Sequence, residues 1–195
     1  MTKSSRGALL RACLAALVVA TGGCASLPAP DTEATDAPTS ANGATEAAVP
    51  AFDWPAEQAR LIAAFAHPGD IGTELRDDGA LVLRLPAAEG FGRDSDVPTA
   101  PLKRMLDRVA DVLAEEPATE IKVLGHTDSV GSETYNLALS IRRAEAVMEY
   151  LRGRGVALAR LLADGRGEAE PISDNRSEAG RAINRRVEIV VRPFH

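Results

Sequence analysis

The chain has 195 residues, of which 45% are hydrophobic and 26% are charged, and its formal net charge at pH 7 is −6. A chain of this length suits one globular domain with accessory segments, because it can bury enough apolar surface for a single core. The acidic balance argues against nucleic acid as a partner, since binding to phosphates needs a dominant positive field. The two cysteines, Cys13 and Cys24, lie close to the N-terminus, so the rest of the sequence holds neither a disulfide nor a thiolate metal site.

Residues 1–23 have the pattern of a secretory signal peptide. Basic residues precede the apolar run 12–20, and the small residues Thr21, Gly22 and Gly23 follow it. This is the order of the n-region, h-region and cleavage site of an export signal. A helix that crosses a bilayer needs ~20 apolar residues, so the apolar run is too short to span a membrane. We therefore predict a signal peptide over 1–23.

Cys24 resembles the modified cysteine of a bacterial lipobox, which becomes the mature N-terminus and carries a diacylglycerol and an N-acyl chain such as palmitate. Thr21 departs from the Leu, Val or Ile that a lipobox prefers three residues before the cysteine, and a secreted protein with unmodified Cys24 is the alternative. Several acyl chains would anchor the protein stably in a membrane. Ala25 stands where enteric lipoproteins of the inner membrane have aspartate, which favours the outer membrane.

Two segments separate Cys24 from the main domain. Residues 25–50 are rich in Ala, Thr, Pro and acidic residues and contain neither Lys nor Arg. Such a composition buries too little apolar surface to offset the entropy of ordering, so 24–50 is predicted to be a lipidated cysteine followed by a disordered tether. Segment 51–79 is predicted to be a short helix, with Leu61, Ile62 and Phe65 on its apolar side, followed by a connection.

Residues 80–195 predict an α/β domain. In chain order we expect a strand, a helix, a strand, a long helix and two strands, at about 81–85, 98–117, 121–125, 137–153, 161–165 and 187–191. The apolar stripe predicted to be buried on the long helix comprises Leu137, Ile141, Ala144, Met148 and Leu151. This order predicts a βαβαββ arrangement of the α+β type, a small mixed sheet with its helices packed on one face.

Polar residues follow the second predicted strand, where open α/β sheets place their ligand sites. Asp128 lies in this loop, and Asn136, Ser140 and Arg143 recur on one face of the next helix. Helical side chains lean toward the helix N-terminus, so Arg143 is expected to reach back toward Asp128. On spacing alone, a structural salt bridge between Asp128 and Arg143 is the simpler interpretation, and a shared ligand cavity is the other. Arg142 is expected to face solvent.

An enzymatic function finds little support in the sequence. His126, Asp128 and Ser140 are the residue types of a catalytic triad, but Ser140 lies within a helix and no Gly-x-Ser-x-Gly turn is present. His126 and Asp128 supply only two metal ligands, and His67 and His195 lie outside this motif. The pair Gly165 and Gly167 lacks the third glycine of a dinucleotide-binding loop. We predict no catalytic activity, no metal and no cofactor.

Several separated motifs resemble the OmpA-like C-terminal domain of the OmpA/Pal family, over roughly 81–192. The matching elements, in order, are Gly125-His126-Thr127-Asp128, Asn136, Leu139-Ser140-Ile141-Arg142-Arg143-Ala144, Gly165-Arg166-Gly167-Glu168 with Pro171, and Asn184-Arg185-Arg186-Val187-Glu188-Ile189. The resemblance is specific because these motifs occur in the family's order and at its spacing. It implies non-covalent binding of meso-diaminopimelate, the diamino acid of the peptidoglycan stem peptide.

The resemblance also implies roles for individual residues. Asp128 would receive the ammonium group of the ligand, and Arg143 would take its carboxylate through a bidentate fork that lysine does not have. The other residues that match peptidoglycan-binding positions are Thr127, Asn136, Arg185 and Asp94. Around Asp94, Gly92 and Pro98 depart from the family pattern. Arg186 and Glu188 are expected to stabilise the fold.

Together these features predict a lipid-anchored protein of the outer membrane whose C-terminal domain lies in the periplasm and tethers the membrane to peptidoglycan. The alternative is a periplasmic protein-interaction module, because relatives such as the Pal lipoproteins also bind protein partners. A stator-type relative with a transmembrane helix is disfavoured by the short apolar run 12–20.

Overall fold

The structure is a computed structural model, and it describes residues 52–66, 71–92 and 94–194. The predicted signal peptide 1–23, the predicted lipidation at Cys24 and the predicted tether all lie outside the described residues, as do His67 and His195. Within the described ranges, no helix combines the length and the apolar character needed to cross a membrane.

Four helices and five strands make up the described part of the chain. In order they are α1 (Trp54–Phe65), β1 (Gly72–Leu75), β2 (Leu81–Pro86), α2 (Ala100–Ala114), β3 (Thr119–His126), α3 (Glu133–Gly153), β4 (Leu161–Gly167), α4 (Glu178–Asn184) and β5 (Arg186–Pro193), with a 3₁₀ turn (Leu158–Arg160) before β4. The strands form one sheet in the order β1-β2-β5-β3-β4. Only β3 and β4 pair in parallel, and the other neighbours are antiparallel, so the predicted mixed sheet is confirmed.

The main core lies between the sheet and helices α1, α2 and α3. Its buried strand residues include Leu83 of β2, Val123 of β3 and Ile189 of β5, which alternate with residues that point to the other face. Among the described residues, the opposite face carries a small apolar cluster that contains Val82, Leu124 and Val190. Since all three long helices contribute to the main core alone, the prediction that the helices pack on one face is confirmed.

Two elements were not predicted. Segment 51–79 contains α1 as expected, but it also contributes β1, an edge strand that pairs with β2 through a turn at Gly79, where φ is +79°. Trp54 Nε1 and Gln58 Nε2 of α1 both donate to the Gly79 carbonyl, at 2.8 and 2.6 Å, so the helix is attached to this turn. Helix α4 lies between the two final strands, and the side chain of its N-cap residue, Ser177, accepts a hydrogen bond from the Gly180 amide.

The predicted buried stripe of α3 was partly wrong. Leu137 is 43% exposed, and the buried positions of this helix are Asn136, Leu139, Ser140, Arg143, Ala144, Val147 and Leu151. The physical reason is a close approach between α3 and the sheet. A Cβ atom at Gly125 would lie 2.1 Å from the Ser140 carbonyl oxygen, and one at Gly165 would lie 2.4 Å from Ser140 Oγ. The sheet positions that face α3 therefore need glycine, and the face of α3 that packs on them carries polar side chains.

Candidate functional site

A cavity of about 520 Å³ opens at the carboxyl end of β3, between the loop after this strand, α3 and α4. Every residue that the sequence analysis assigned to ligand binding lines it, namely Asp94, Thr127, Asp128, Asn136, Arg143 and Arg185. These residues come from separate loops and helices, so their convergence is a property of the fold. The volume lies within the ~300–1,000 Å³ of small-molecule sites.

Asp128 is held in a defined orientation by the loop that carries it. Its Oδ1 accepts a hydrogen bond from the Val130 amide at 2.9 Å, and its Oδ2 accepts one from Arg185 Nη1 at 2.6 Å. The residue is only 8% exposed. The salt bridge between Asp128 and Arg143 that spacing suggested is not formed, because Arg185 occupies the position beside this carboxylate.

Arg185 also joins Asp128 to a second carboxylate. Its Nη2 donates to Glu178 Oε1 at 2.7 Å, and Glu178 in turn accepts from Arg181 Nη2 at 2.7 Å. The hydrogen bonds from Arg185 and Arg181 lower the pKa of Glu178. This wall of the cavity thus contains two acidic and two basic side chains whose charges compensate each other.

Arg143 has a different environment from the other arginines of the cavity. Its Nε donates to the Ser95 carbonyl at 3.0 Å, its Nη2 donates to the Gly92 carbonyl at 3.4 Å, and its Cζ lies 5.0 Å from the centre of the Phe91 ring. No carboxylate of the described residues lies within ion-pair distance of it, although it is only 6% exposed. Burial lowers the pKa of Arg143, but a guanidinium keeps its charge in proteins. Arg143 is therefore a buried cation of the cavity whose hydrogen bonds, among the described residues, go to backbone carbonyls alone.

Asn136 and Thr127 support the loop that carries Asp128. Asn136 Nδ2 donates to the carbonyls of Asp128 and Val130, at 3.3 and 3.2 Å, and to Glu168 Oε2 at 2.6 Å. The amide nitrogen of Asn136 is thus engaged within the protein. The Thr127 amide donates to the Gly167 carbonyl at 2.9 Å, and among the described residues its buried Oγ1 has no hydrogen-bond partner.

Asp94 lies at the opposite side of the cavity mouth. It has a φ of +53°, a left-handed backbone conformation that aspartate tolerates better than most residues. Tyr135 Oη donates to Asp94 Oδ1 at 3.0 Å, and this hydrogen bond raises the pKa of Tyr135. Asp94 is therefore placed beside the N-terminal turn of α3, within the same cavity as Asp128.

Comparison with known proteins identifies the family. The OmpA family model matches residues 91–185. The chain is 37% identical over 120 residues to the outer-membrane lipoprotein YfiB of Pseudomonas aeruginosa, a match that covers 62% of this chain and 71% of that protein. The chain belongs to the OmpA family.

Two further relatives are a peptidoglycan-binding protein and a cell wall anchor. The OmpA-like domain is 44% identical over 101 residues to the peptidoglycan-binding protein ArfA of Mycobacterium tuberculosis, which covers 52% of this chain and 31% of ArfA. The cell wall anchor of the type VI secretion system of Pseudomonas aeruginosa superposes with a TM-score of 0.60 at 31% identity, over 70% of this chain and 97% of that one. The chain spans about a third of the length of several curated relatives that it matches.

The OmpA-like domain contains cavity residues that the sequence analysis did not identify, namely Phe91, Val130, Tyr135, Glu178 and Arg181. Glu178 and Arg181 lie on α4, whose short polar sequence lacks the apolar periodicity that would predict a helix. Their spacing of three residues permits an ion pair on a helix, but it becomes a signal only once the helix is known.

The residue types of a catalytic triad do not assemble in this OmpA-like domain. Ser140 Oγ donates to the Leu137 carbonyl at 2.7 Å and accepts from the Gly167 amide at 2.9 Å. His126 lies near Glu188 instead, with 3.9 Å between its Nε2 and the carboxylate Oε2. Within the described ranges, no group of three or more His, Cys, Asp or Glu residues is arranged to hold a metal ion.

His126 is a buried titratable group at the end of β3, two residues before Asp128. It is 1% exposed, and its ring nitrogens make no hydrogen bond with the described residues. Burial, reinforced by the charge of Arg186, lowers the pKa of His126 to about 4. Burial alone would raise the pKa of Glu188, but the 2.8 Å hydrogen bond from Arg186 and its charge lower it. Arg186 and Glu188, which were expected to stabilise the fold, thus form a buried ion pair on β5.

Proposed function

We propose that this protein binds peptidoglycan non-covalently through the meso-diaminopimelate residue of the stem peptide. The observation that carries the proposal is the presence of opposite charges in one cavity, where no carboxylate of the described residues forms an ion pair with the buried Arg143, and Asp128 is an anion held in place by Arg185 and the Val130 amide. A zwitterionic centre, with an ammonium and a carboxylate on one carbon, complements both. The similarity to the peptidoglycan-binding protein ArfA and to the cell wall anchor of the secretion system supports the same class of ligand.

In this proposal each cavity residue has a defined part. The ligand carboxylate pairs with Arg143, whose planar fork donates two parallel hydrogen bonds. The ligand ammonium pairs with Asp128, which Arg185 and the Val130 amide keep in place. Thr127 Oγ1 is an available polar group beside Asp128, and Asp94 adds negative charge at the mouth.

We further propose that the domain is attached to the outer membrane through lipid on Cys24, with 25–50 as the tether, so that peptidoglycan binding links the membrane to the cell wall. The support is the lipobox-like sequence and the similarity to YfiB, an outer-membrane lipoprotein. In this arrangement the OmpA-like domain lies in the periplasm.

The experiment that tests the ligand is calorimetric titration of the protein with meso-diaminopimelate. Asp128→Asn is expected to lose binding, because it removes the anion but keeps the size of the side chain. Asp96→Asn is the matched control, since the Asp96 side chain is 43% exposed and its carboxylate is 3.6 Å from Arg142. Equal affinities of the wild type and Asp128→Asn would contradict the proposal.

A second candidate function, binding of a periplasmic protein, is favoured by another surface. A groove of about 770 Å³ contains Pro101, Met105, Ile172 and Ile183, and the two isoleucines are about half exposed. Exposed apolar surface of this kind is typical of protein-interaction sites. If this function operates, Ile183→Asp should abolish complex formation with the partner and leave diaminopimelate binding unchanged.

A further inference from the structure

The mouth of the cavity carries an apolar rim, formed by Val130 and Tyr135. Both side chains line the cavity, yet they are 64% and 42% exposed. The Tyr135 ring is fixed by the hydrogen bond to Asp94 and lies beside the backbone of Gly131. The rim therefore continues the ligand cavity outward, and it is oriented before any ligand arrives.

The chemistry of the stem peptide determines what meets this rim, and the argument here rests on the proposed function. If Asp128 and Arg143 hold the distal amino-acid centre of diaminopimelate, the proximal centre must lie toward the mouth. That centre carries glutamate on its amine and D-alanine on its carboxyl group. The glutamate offers a free α-carboxylate close to the diaminopimelate, whereas a D-alanine whose own carboxyl group is in an amide bond offers a methyl group and no charge.

The charge at the mouth favours the methyl group. Asp94 lies there next to Tyr135. Its carboxylate would repel a second carboxylate, whereas the Val130 methyl groups and the tyrosine ring gain from covering a methyl group. We propose that Val130 and Tyr135 form a subsite for the side chain of the D-alanine that follows diaminopimelate in the stem.

The test compares two ligands that differ by one methyl group, meso-diaminopimelate extended at its proximal carboxyl by glycinamide or by D-alaninamide. Burial of one methyl group supports a gain of up to about fourfold in affinity. We expect the full-length protein to bind the D-alaninamide ligand two- to fourfold more tightly. Val130→Ser should bind both ligands with the affinity that the wild type has for the glycinamide ligand. Wild-type affinity for the glycinamide ligand also shows that the variant is folded.

Leu158→Ser is the matched control, because Leu158 is 58% exposed and follows the far end of α3, about 30 Å from the start of this helix. It should keep the preference for D-alaninamide. Equal affinity of the wild type for both ligands would overturn the subsite and leave the proposed function standing. An equal loss for both ligands in Val130→Ser would also overturn it. Binding of neither ligand would overturn both proposals.

Discussion

Replacing Arg143 by lysine keeps the positive charge in the cavity but removes the planar fork. In the structure, Nε and Nη2 of Arg143 hold the carbonyls of Ser95 and Gly92, while Nη1 makes no hydrogen bond with the described residues. Nη1 and the second hydrogen of Nη2 are thus available to a ligand carboxylate. A lysine ammonium can replace one of these two hydrogen bonds but not their parallel geometry.

The expected magnitude follows from the number of bonds lost. A hydrogen bond to a charged group contributes about 1.5–3 kcal/mol, so Arg143→Lys should weaken binding of diaminopimelate by roughly 10- to 100-fold. Arg143→Ala also leaves the ligand carboxylate unpaired, which costs about 2–5 kcal/mol, or roughly 30-fold to several thousandfold. Calorimetric titration with meso-diaminopimelate measures both losses, and thermal unfolding reports whether each variant is folded.

Arg142→Lys provides the matched control, because Arg142 is the next residue of α3, its side chain is 45% exposed, and it pairs loosely with Asp96 at 3.6 Å. It should bind as the wild type does. Nα-acetyl-lysinamide, which has an ammonium group but no carboxylate, should not compete with diaminopimelate. The reasoning would be refuted if Arg143→Lys and Arg143→Ala, both folded, bound the ligand with wild-type affinity.

Three other predictions concern the remaining parts of the molecule. Cys24 is expected to carry lipid, so a fatty-acid label should appear in the wild type and be absent from Cys24→Ala; label retained by the variant would exclude this. Residues 25–50 are expected to act as a spacer, so a Gly/Ser segment of equal length should preserve sedimentation with sacculi, and loss of binding would reveal a specific role. The folded-state pKa of His126, about 4, lies below its ordinary value, so the unfolded chain takes up this proton first as the pH falls. Because of His126, the free energy of unfolding should therefore fall by about 3 kcal/mol as the pH is lowered from 7 to 4. Urea denaturation should show this slope in the wild type but not in His126→Leu, and parallel pH profiles would contradict it.

The elements predicted correctly are those in which apolar residues recur regularly along the element. Helix α2 buries Leu102, Leu106, Val109 and Leu113 on one face, and this stripe is legible in the sequence because polar residues occupy the other face. Strand β1 was missed because it has four residues and its one large apolar side chain, Leu75, is 52% exposed. Pairing with β2, rather than any local pattern, makes this segment a strand.

The same limit applies to the site. The positions of Asp128 and Arg143 follow from a strand, a loop and a helix that adjoin in sequence, so local spacing already places them near one cavity. The partner of Asp128 is Arg185, which lies 57 residues away and reaches it from the end of α4. Periodicity contains no information about such a contact. The inward face of α3 was predicted partly wrongly because Asn136, Ser140 and Arg143 are buried there. A search for recurring apolar residues does not select polar residues such as these.

The most direct test of the central claim is sedimentation of the purified protein with isolated sacculi of two kinds, one whose stem peptides contain meso-diaminopimelate and one whose stem peptides contain lysine. Binding by an Asp128 and Arg143 clamp predicts that the protein sediments with the first kind, that free diaminopimelate releases it, and that it stays in solution with the second. Equal sedimentation with both kinds, or none with diaminopimelate sacculi, would contradict recognition of diaminopimelate.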